Sequence, residues 1–181
     1  NFTFGRANVG GRPVVASADD FTVRGGAADA ALHRKFVQCE AMAHEYRLPL
    51  IRMIDGTGGG GSVKTLEDMG YTYIPHVPGW DEIIANLDTV PVVALALGPT
   101  AGLGAARVVA SHYSVMVRGL SQLFAAGPAV AAAIGDTLDR EELGGVDVHT
   151  RNGVVDDEVG SGVEAIPAAR RNTGVSIAFF G

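Results

Sequence analysis

A chain of 181 residues, 47% of them hydrophobic, has the size and apolar content of one packed domain with a real core. Its net charge of −6 and a pI near 5.3 leave no basic footprint for nucleic acid. The single cysteine, Cys39, excludes an internal disulfide framework and fits a reducing compartment, and no apolar run approaches the ~18 residues a membrane span needs.

The N-terminus, Asn1-Phe2-Thr3-Phe4-Gly5, carries neither an initiating Met nor a signal-peptide pattern, which predicts a piece of a longer chain. Gly10-Gly11-Arg12 then separates two short strand candidates, Gly5 to Val9 and Pro13 to Ala18, and predicts a hairpin. Asp19-Asp20-Phe21-Thr22-Val23-Arg24-Gly25-Gly26 leads into a helix whose apolar positions Leu32, Phe36, Cys39, Ala43 and Tyr46 recur at helical spacing. Leu48-Pro49 ends it. Leu50 to Asp55 reads as a buried strand closing in the glycine turn Gly56-Thr57-Gly58-Gly59-Gly60-Gly61-Ser62, and Val63, Leu66 and Met69 are compatible with a helix beyond.

After an irregular stretch from Tyr71 to Gly79, Trp80 to Leu87 is a short helix candidate. Val90 to Leu97 repeats the earlier construction: a buried strand, then a glycine turn, Gly98-Pro99-Thr100-Ala101-Gly102-Leu103-Gly104, opening an Ala-rich helix. Tyr113 to Val117 is another short strand. Gly127-Pro128 opens an Ala/Val helix, where proline is tolerated in the first turn, and Asp139 to Leu143 is a short helix stopped by Gly144-Gly145. Hairpin, helix, strand, helix, strand is an α/β order with helices packed on sheets.

Several motifs are formally present and fail on context. Gly56-x-Gly58-x-x-Gly61 satisfies a dinucleotide fingerprint, yet no clear second strand ends in an acid ~20 residues on. Lys64 stands two residues too late for a phosphate-loop lysine. His33, His44, His76, His112 and His149 are scattered without metal-ligand spacing, so no metal is expected. Gly160-Ser161-Gly162 lacks nucleophile-elbow spacing, and Cys39 lies on the apolar helix face. Asp19 and Asp20 read as a solvated turn unless a further carboxylate joins them. What remains is backbone chemistry. Bare amides at two glycine turns, each at a helix N-terminus, can steady the oxyanion of a thioester enolate, each contributing about 3 kcal/mol. Taken alone, the pattern is equally compatible with glycines that merely permit tight turns.

Five motifs in register carry a resemblance. Asp20-Phe21-Thr22-Val23-x-Gly25-Gly26, the Asp55 glycine turn, Gly98-Pro99-x-Ala101-Gly102-x-Gly104-Ala105, Phe124-x-x-Gly127-Pro128 and Glu142-Leu143-Gly144-Gly145-x-Asp147-x-His149-x-x-x-Gly153-Val154 occur in the order found in carboxyltransferase subunits of biotin-dependent acyl-CoA carboxylases. The related decarboxylase subunits share it. The chain resembles the N-terminal, acyl-CoA-holding half of that subunit from about Gly5 to Arg171.

The resemblance implies a crotonase-like α/β fold, a spiral of ββα units, with an N-terminal carboxyltransferase domain over 1–171 and a departing tail over 172–181. It implies transfer of a carboxyl group from carboxybiotin to the enolate of an acyl-CoA, biotin being the cofactor and arriving on a partner carrier. By correspondence, Gly58 and Gly59 would hold the thioester oxygen, while Gly102 and Gly104 would shape the pocket and could add a donor. Gly25, Gly26, Ala27, Gly60, Ala101, Leu103, Phe124, Gly127 and Pro128 would contact the acyl-CoA. Expected partners are a biotin carboxylase and carrier subunit and further copies of the chain, as dimers or a hexamer, in the cytoplasm or a mitochondrial matrix. No nucleic acid or membrane span is expected, and this piece alone is expected to be inactive.

Departures exist. The usual first turn, Ser-Gly-Gly-Ala, is replaced by the glycine run from Gly56, so the pair of amides facing the oxygen is open by one residue. Ala27-Ala28-Asp29 stand where Ser and Gly are usual. The alternatives are a decarboxylase subunit, a crotonase-type hydratase or isomerase using Glu67 or Asp81, and a non-catalytic assembly module.

Overall fold

The computed structural model describes residues 2–26, 33–56, 67, 70, 79–135 and 137–176. The chain opens as predicted: β1 (Phe2–Val9) and β2 (Arg12–Asp19) form an antiparallel hairpin with Val9 opposite Arg12. Gly10 (φ 62) and Gly11 (φ 85) are both left-handed, the requirement of a two-residue turn matched to strand twist. The Asn8 side chain accepts the Gly11 amide at 2.9 Å.

From β2 onward the sheet is parallel. β3 (Leu50–Ile54), β4 (Val92–Ala96), β6 (Tyr113–Val117) and β8 (Asp157–Val159) follow in the order β1-β2-β3-β4-β6-β8. β4 is buried at every position, as expected of a central parallel strand covered on both faces. Alternation across the pleat divides the core. On one face Val15, Leu50 and Val92 pack with Phe36, Cys39 and Ala43 of α1 (His33–Tyr46) and Ile83 of α2 (Trp80–Leu87). On the other, Val14, Ile51, Val93 and Val115 meet Ala165, Ala168 and Ala169 of the last helix.

Tyr46 departs from the expected apolar face. It is 57% exposed, with the Arg6 guanidinium 5.6 Å from its ring centroid. The helix ends here: Arg47 is left-handed (φ 52) and the Leu48 amide returns to the Ala43 carbonyl at 3.0 Å, so Leu48 takes the core position. Leu32 and most of the helix expected after Val63 lie outside the described residues.

The second half holds elements that the sequence hid. β5 (Pro99–Ala101) pairs in parallel with β7 (Gln122–Phe124) as a separate two-stranded ribbon. α3 (Leu103–Val109) leaves the second glycine turn, and α4 (Pro128–Ala133) begins at Pro128 as expected. α5 (Arg140–Gly144) carries a full capping box between Asp139 and Glu142. α6 (Val146–Arg151) follows directly, and α7 (Gly162–Ser176) runs across the boundary expected at 171.

Candidate functional site

In open parallel sheets ligands bind beyond the carboxyl ends of the strands, and there the glycine turns meet. Gly26 is left-handed (φ 67), and a Cβ on it would stand 2.5 Å from the Asp55 carbonyl oxygen and 2.8 Å from the Gly56 Cα. Reciprocally, a Cβ on Gly56 would lie 2.7 Å from the Gly26 Cα. One on Gly98 would run into the Asp55 carboxylate. The ends of β2, β3 and β4 thus approach closely because side chains are missing at these positions. Gly25 differs: it is left-handed (φ 63) with open space around it, so its need is conformational. Asp20 shapes this loop by accepting the Thr22 amide at 3.0 Å and the Thr22 hydroxyl at 2.6 Å.

The second turn is held differently. Thr100, fully buried, faces Leu123 in the β5–β7 ribbon, and Ala101 faces Phe124. The Gly102 amide donates to the Phe124 carbonyl at 2.9 Å. Gly102, at φ 57 and ψ −117, therefore contributes a bend, its N–H being engaged in the ribbon. The donors left at this turn are the first amides of α3, those of Leu103 and the buried Gly104, with no capping side chain over them.

Charged groups gather behind and beside the turns. Arg107 of α3 is buried, its guanidinium 3.9 Å from the Phe36 ring centroid and 3.1 Å from Asp19 at the end of β2. Burial pushes its pKa down, and Asp19 opposes that shift. Deeper, Arg52 and Glu40 form a two-pronged pair at 2.8 Å on each prong, and the Asn86 amide donates to the same carboxylate at 2.8 Å. Arg52 also donates to the carbonyls of Arg107 and Ala110, at 3.2 and 2.6 Å, where the last turn of α3 presents negative partial charge. Sequence reading missed this network, although an arginine inside the apolar run Leu50-Ile51-Arg52-Met53-Ile54 signals a buried partner.

Near the first turn, two carboxyls are driven apart in pKa. Thr22 holds Asp20 below the usual carboxylate range. Asp55 is pushed up, first by burial and then by the charges of Asp19 and Asp20. Cys39 is inert: burial raises its thiol to about 12. The ring nitrogens of His112 and His149 meet backbone carbonyls, of Leu87 at 2.8 Å and of Leu123 at 2.9 Å.

Of the residues singled out from sequence, Gly26 is brought against Asp55 and Gly56, and the Gly25 carbonyl lies beside Gly56. Ala101, Gly102 and Phe124 come together through the ribbon, and Leu103 and Gly104 open α3. Gly127 and Pro128 open α4, a short connection beyond Phe124. Ala27, Gly58, Gly59 and Gly60 lie outside the described residues. Glu67 and Asp81, weighed as side-chain acids, are both exposed.

The model of the carboxyl transferase domain matches residues 3–174. The beta chain of mitochondrial methylcrotonoyl-CoA carboxylase from Dictyostelium discoideum is 32% identical over 174 residues, covering 92% of this chain and 29% of that one. The probable biotin-dependent acyl-coenzyme A carboxylase beta2 subunit of Mycobacterium tuberculosis is 31% identical over 180 residues, covering 94% and 33%. Among solved structures, transcarboxylase 12S with methylmalonyl-coenzyme A and methylmalonic acid bound matches with a TM-score of 0.78 at 26% identity, covering 94% of this chain and 32% of that one. The chain therefore spans about a third of the length of these curated relatives.

Proposed function

The chain belongs to the carboxyl transferase domain family, and from that membership we propose that it is the acyl-CoA-holding part of a biotin-dependent acyl-CoA carboxylase. The observation that carries the reading is the close approach of Gly26 to Gly56 and of Gly98 to Asp55 beyond the ends of parallel strands, where a Cβ on any of these glycines would strike a neighbour. A thioester needs a site of this kind. When its α-proton leaves, charge moves to the carbonyl oxygen, and preorganised amides there favour the enolate at no cost in reorganisation.

The described residues suit the acyl-CoA rather than the biotin. Bare peptide groups and the small residues Ala101, Gly102 and Gly104 allow close approach of a thioester. The resemblance puts the biotin-holding half after the matched segment. When bound, carboxybiotin supplies CO2 and the ureido nitrogen that accepts the α-proton, the hard chemistry being the cofactor's. This chain's own tasks are then to bind, orient and shield. Gly58, Gly59 and the first amides of α3 hold the thioester oxygen. Gly25, Gly26, Ala27, Gly60, Ala101, Leu103, Phe124, Gly127 and Pro128 seat the rest of the substrate. The partners are a biotin carboxylase and carrier subunit and further copies of this chain, in keeping with the hexamer assembly of transcarboxylase 12S.

The test uses the full-length subunit with its biotin-bearing partner, assaying acetyl-, propionyl- and methylcrotonoyl-CoA as acceptors of labelled bicarbonate. Avidin should abolish labelling of whichever acyl-CoA is carboxylated, and Gly98→Val should lower kcat by more than about 100-fold. Labelling that survives avidin, or full activity in the Gly98 variant, would overturn the reading.

Asp55 favours a second reading, a hydratase or isomerase using a side-chain acid, because a half-buried carboxyl with a raised pKa suits proton transfer at this edge. Asp55→Asn separates the two. Avidin-sensitive carboxylation that persists in the variant supports the carboxylase. Biotin-free hydration lost in the variant supports the other.

A further inference from the structure

The second turn does not hold itself in place. Its bend is tied to β7 through the Gly102 amide and the Phe124 carbonyl, 2.9 Å apart, so the position of β7 sets the position of the amides that follow. β7 is gripped from its far side by the α5–α6 pair. Glu141 accepts the Gln122 side-chain amide at 2.5 Å. The Gly144 backbone lies so close that a Cβ there would strike the Leu123 carbonyl and stand 2.7 Å from the Phe124 ring. His149 Nε2 is 2.9 Å from that same Leu123 oxygen.

Building on the acyl-CoA reading, we infer that His149 is a positioning residue for the second glycine turn, acting through the Leu123 carbonyl and β7. A carbonyl only accepts, so Nε2 carries the proton. The role is that of a hydrogen-bond donor. His149 is itself fixed. Its carbonyl accepts the Val154 and Val155 amides at 3.0 and 3.2 Å, and Val146 and Val155 are buried in the cluster that also contains Leu123, Ile54 and Ala96. The placement sets Gly144 and His149, two members of one motif, together behind the ribbon and far in sequence from the glycine turns.

The full-length subunit with its biotin-bearing partner provides the test, using the acyl-CoA that the wild type carboxylates. His149→Leu and His149→Asn both lose a donor within reach, and either one that folds should lower kcat about 10- to 100-fold with KM for acyl-CoA changed less than about threefold. His149→Gln, whose amide reaches the same oxygen, should restore most of kcat. Amide hydrogen exchange at Gly102 should quicken in the Leu or Asn variant and return to the wild-type rate in the Gln variant, whatever reaction the enzyme performs. Unchanged kcat and unchanged Gly102 exchange in the Leu and Asn variants would overturn the inference, as would a Gln variant as impaired as the Leu variant. Loss of carboxylation in the wild type would instead count against the acyl-CoA reading, and the exchange measurement would still decide the role of His149.

Discussion

Asp55 sits where the first glycine turn leaves β3, against the Gly98 backbone and within the field of two other carboxylates. Its raised pKa means that the native state holds the proton more tightly than the unfolded chain. The resulting penalty is absent below the unfolded value and grows as pH rises through the folded one. Asp55→Asn should therefore raise the melting temperature at pH 7 and have much less effect at pH 3, read by thermal unfolding at the two pH values. The paired glycines make a second comparison. Gly25→Ala adds a side chain in open space and should cost about 1 kcal/mol for the left-handed backbone alone. Gly26→Ala adds the same strain and drives a Cβ into the backbone of Asp55 and Gly56, costing about 2 to 4 kcal/mol. Equal denaturant midpoints for the two variants would contradict the packing described. The requirement for glycine was legible in the sequence, while the partner each one approaches was not.

α3 links the second turn to the interior. Arg107 ties it to β2 through Asp19, and Arg52 holds its final carbonyls. Arg52→Met should cost about 3 to 5 kcal/mol, because it leaves the Glu40 carboxylate buried without its partner. Adding Glu40→Leu should recover much of that loss, a coupling that a double-mutant cycle on chemical denaturation measures. The capping box of α5 is a smaller support, and Asp139→Ala should cost about 1 kcal/mol. The long or strongly patterned elements, α1, α2, β3, β4 and β6, were readable because their apolar spacing is set by burial on one or both faces. β5, β7 and β8 were not. Each is three residues long, too short to show a period, and each exists because a neighbouring strand offers it hydrogen bonds.

Across the whole molecule the sheet grades from a doubly covered centre to thin edges. Native-state hydrogen exchange should find β3, β4 and β6 most protected and β1 and β8 opening sooner, since the central strands lose packing on both faces when they open. The same sheet aims the strand ends at one edge, so residues beyond the hairpin, β3 and β4 come close around Asp55 although Gly26 and Gly98 are far apart in the chain. The crotonase-like α/β fold was legible from the five motifs in order, and the family match covers nearly the same span. From composition and spacing alone, the chain declared one packed α/β domain and two glycine turns poor in reactive side chains. Burial periodicity and the φ > 0 requirement are local properties that residue types record directly. Tertiary structure alone decided that Gly102 spends its amide on β7, that Arg52 and Arg107 are buried and paired, and that His149 stands behind the second turn. Those contacts join segments distant in sequence, and no local pattern encodes which carbonyl or carboxylate a folded chain will bring within reach.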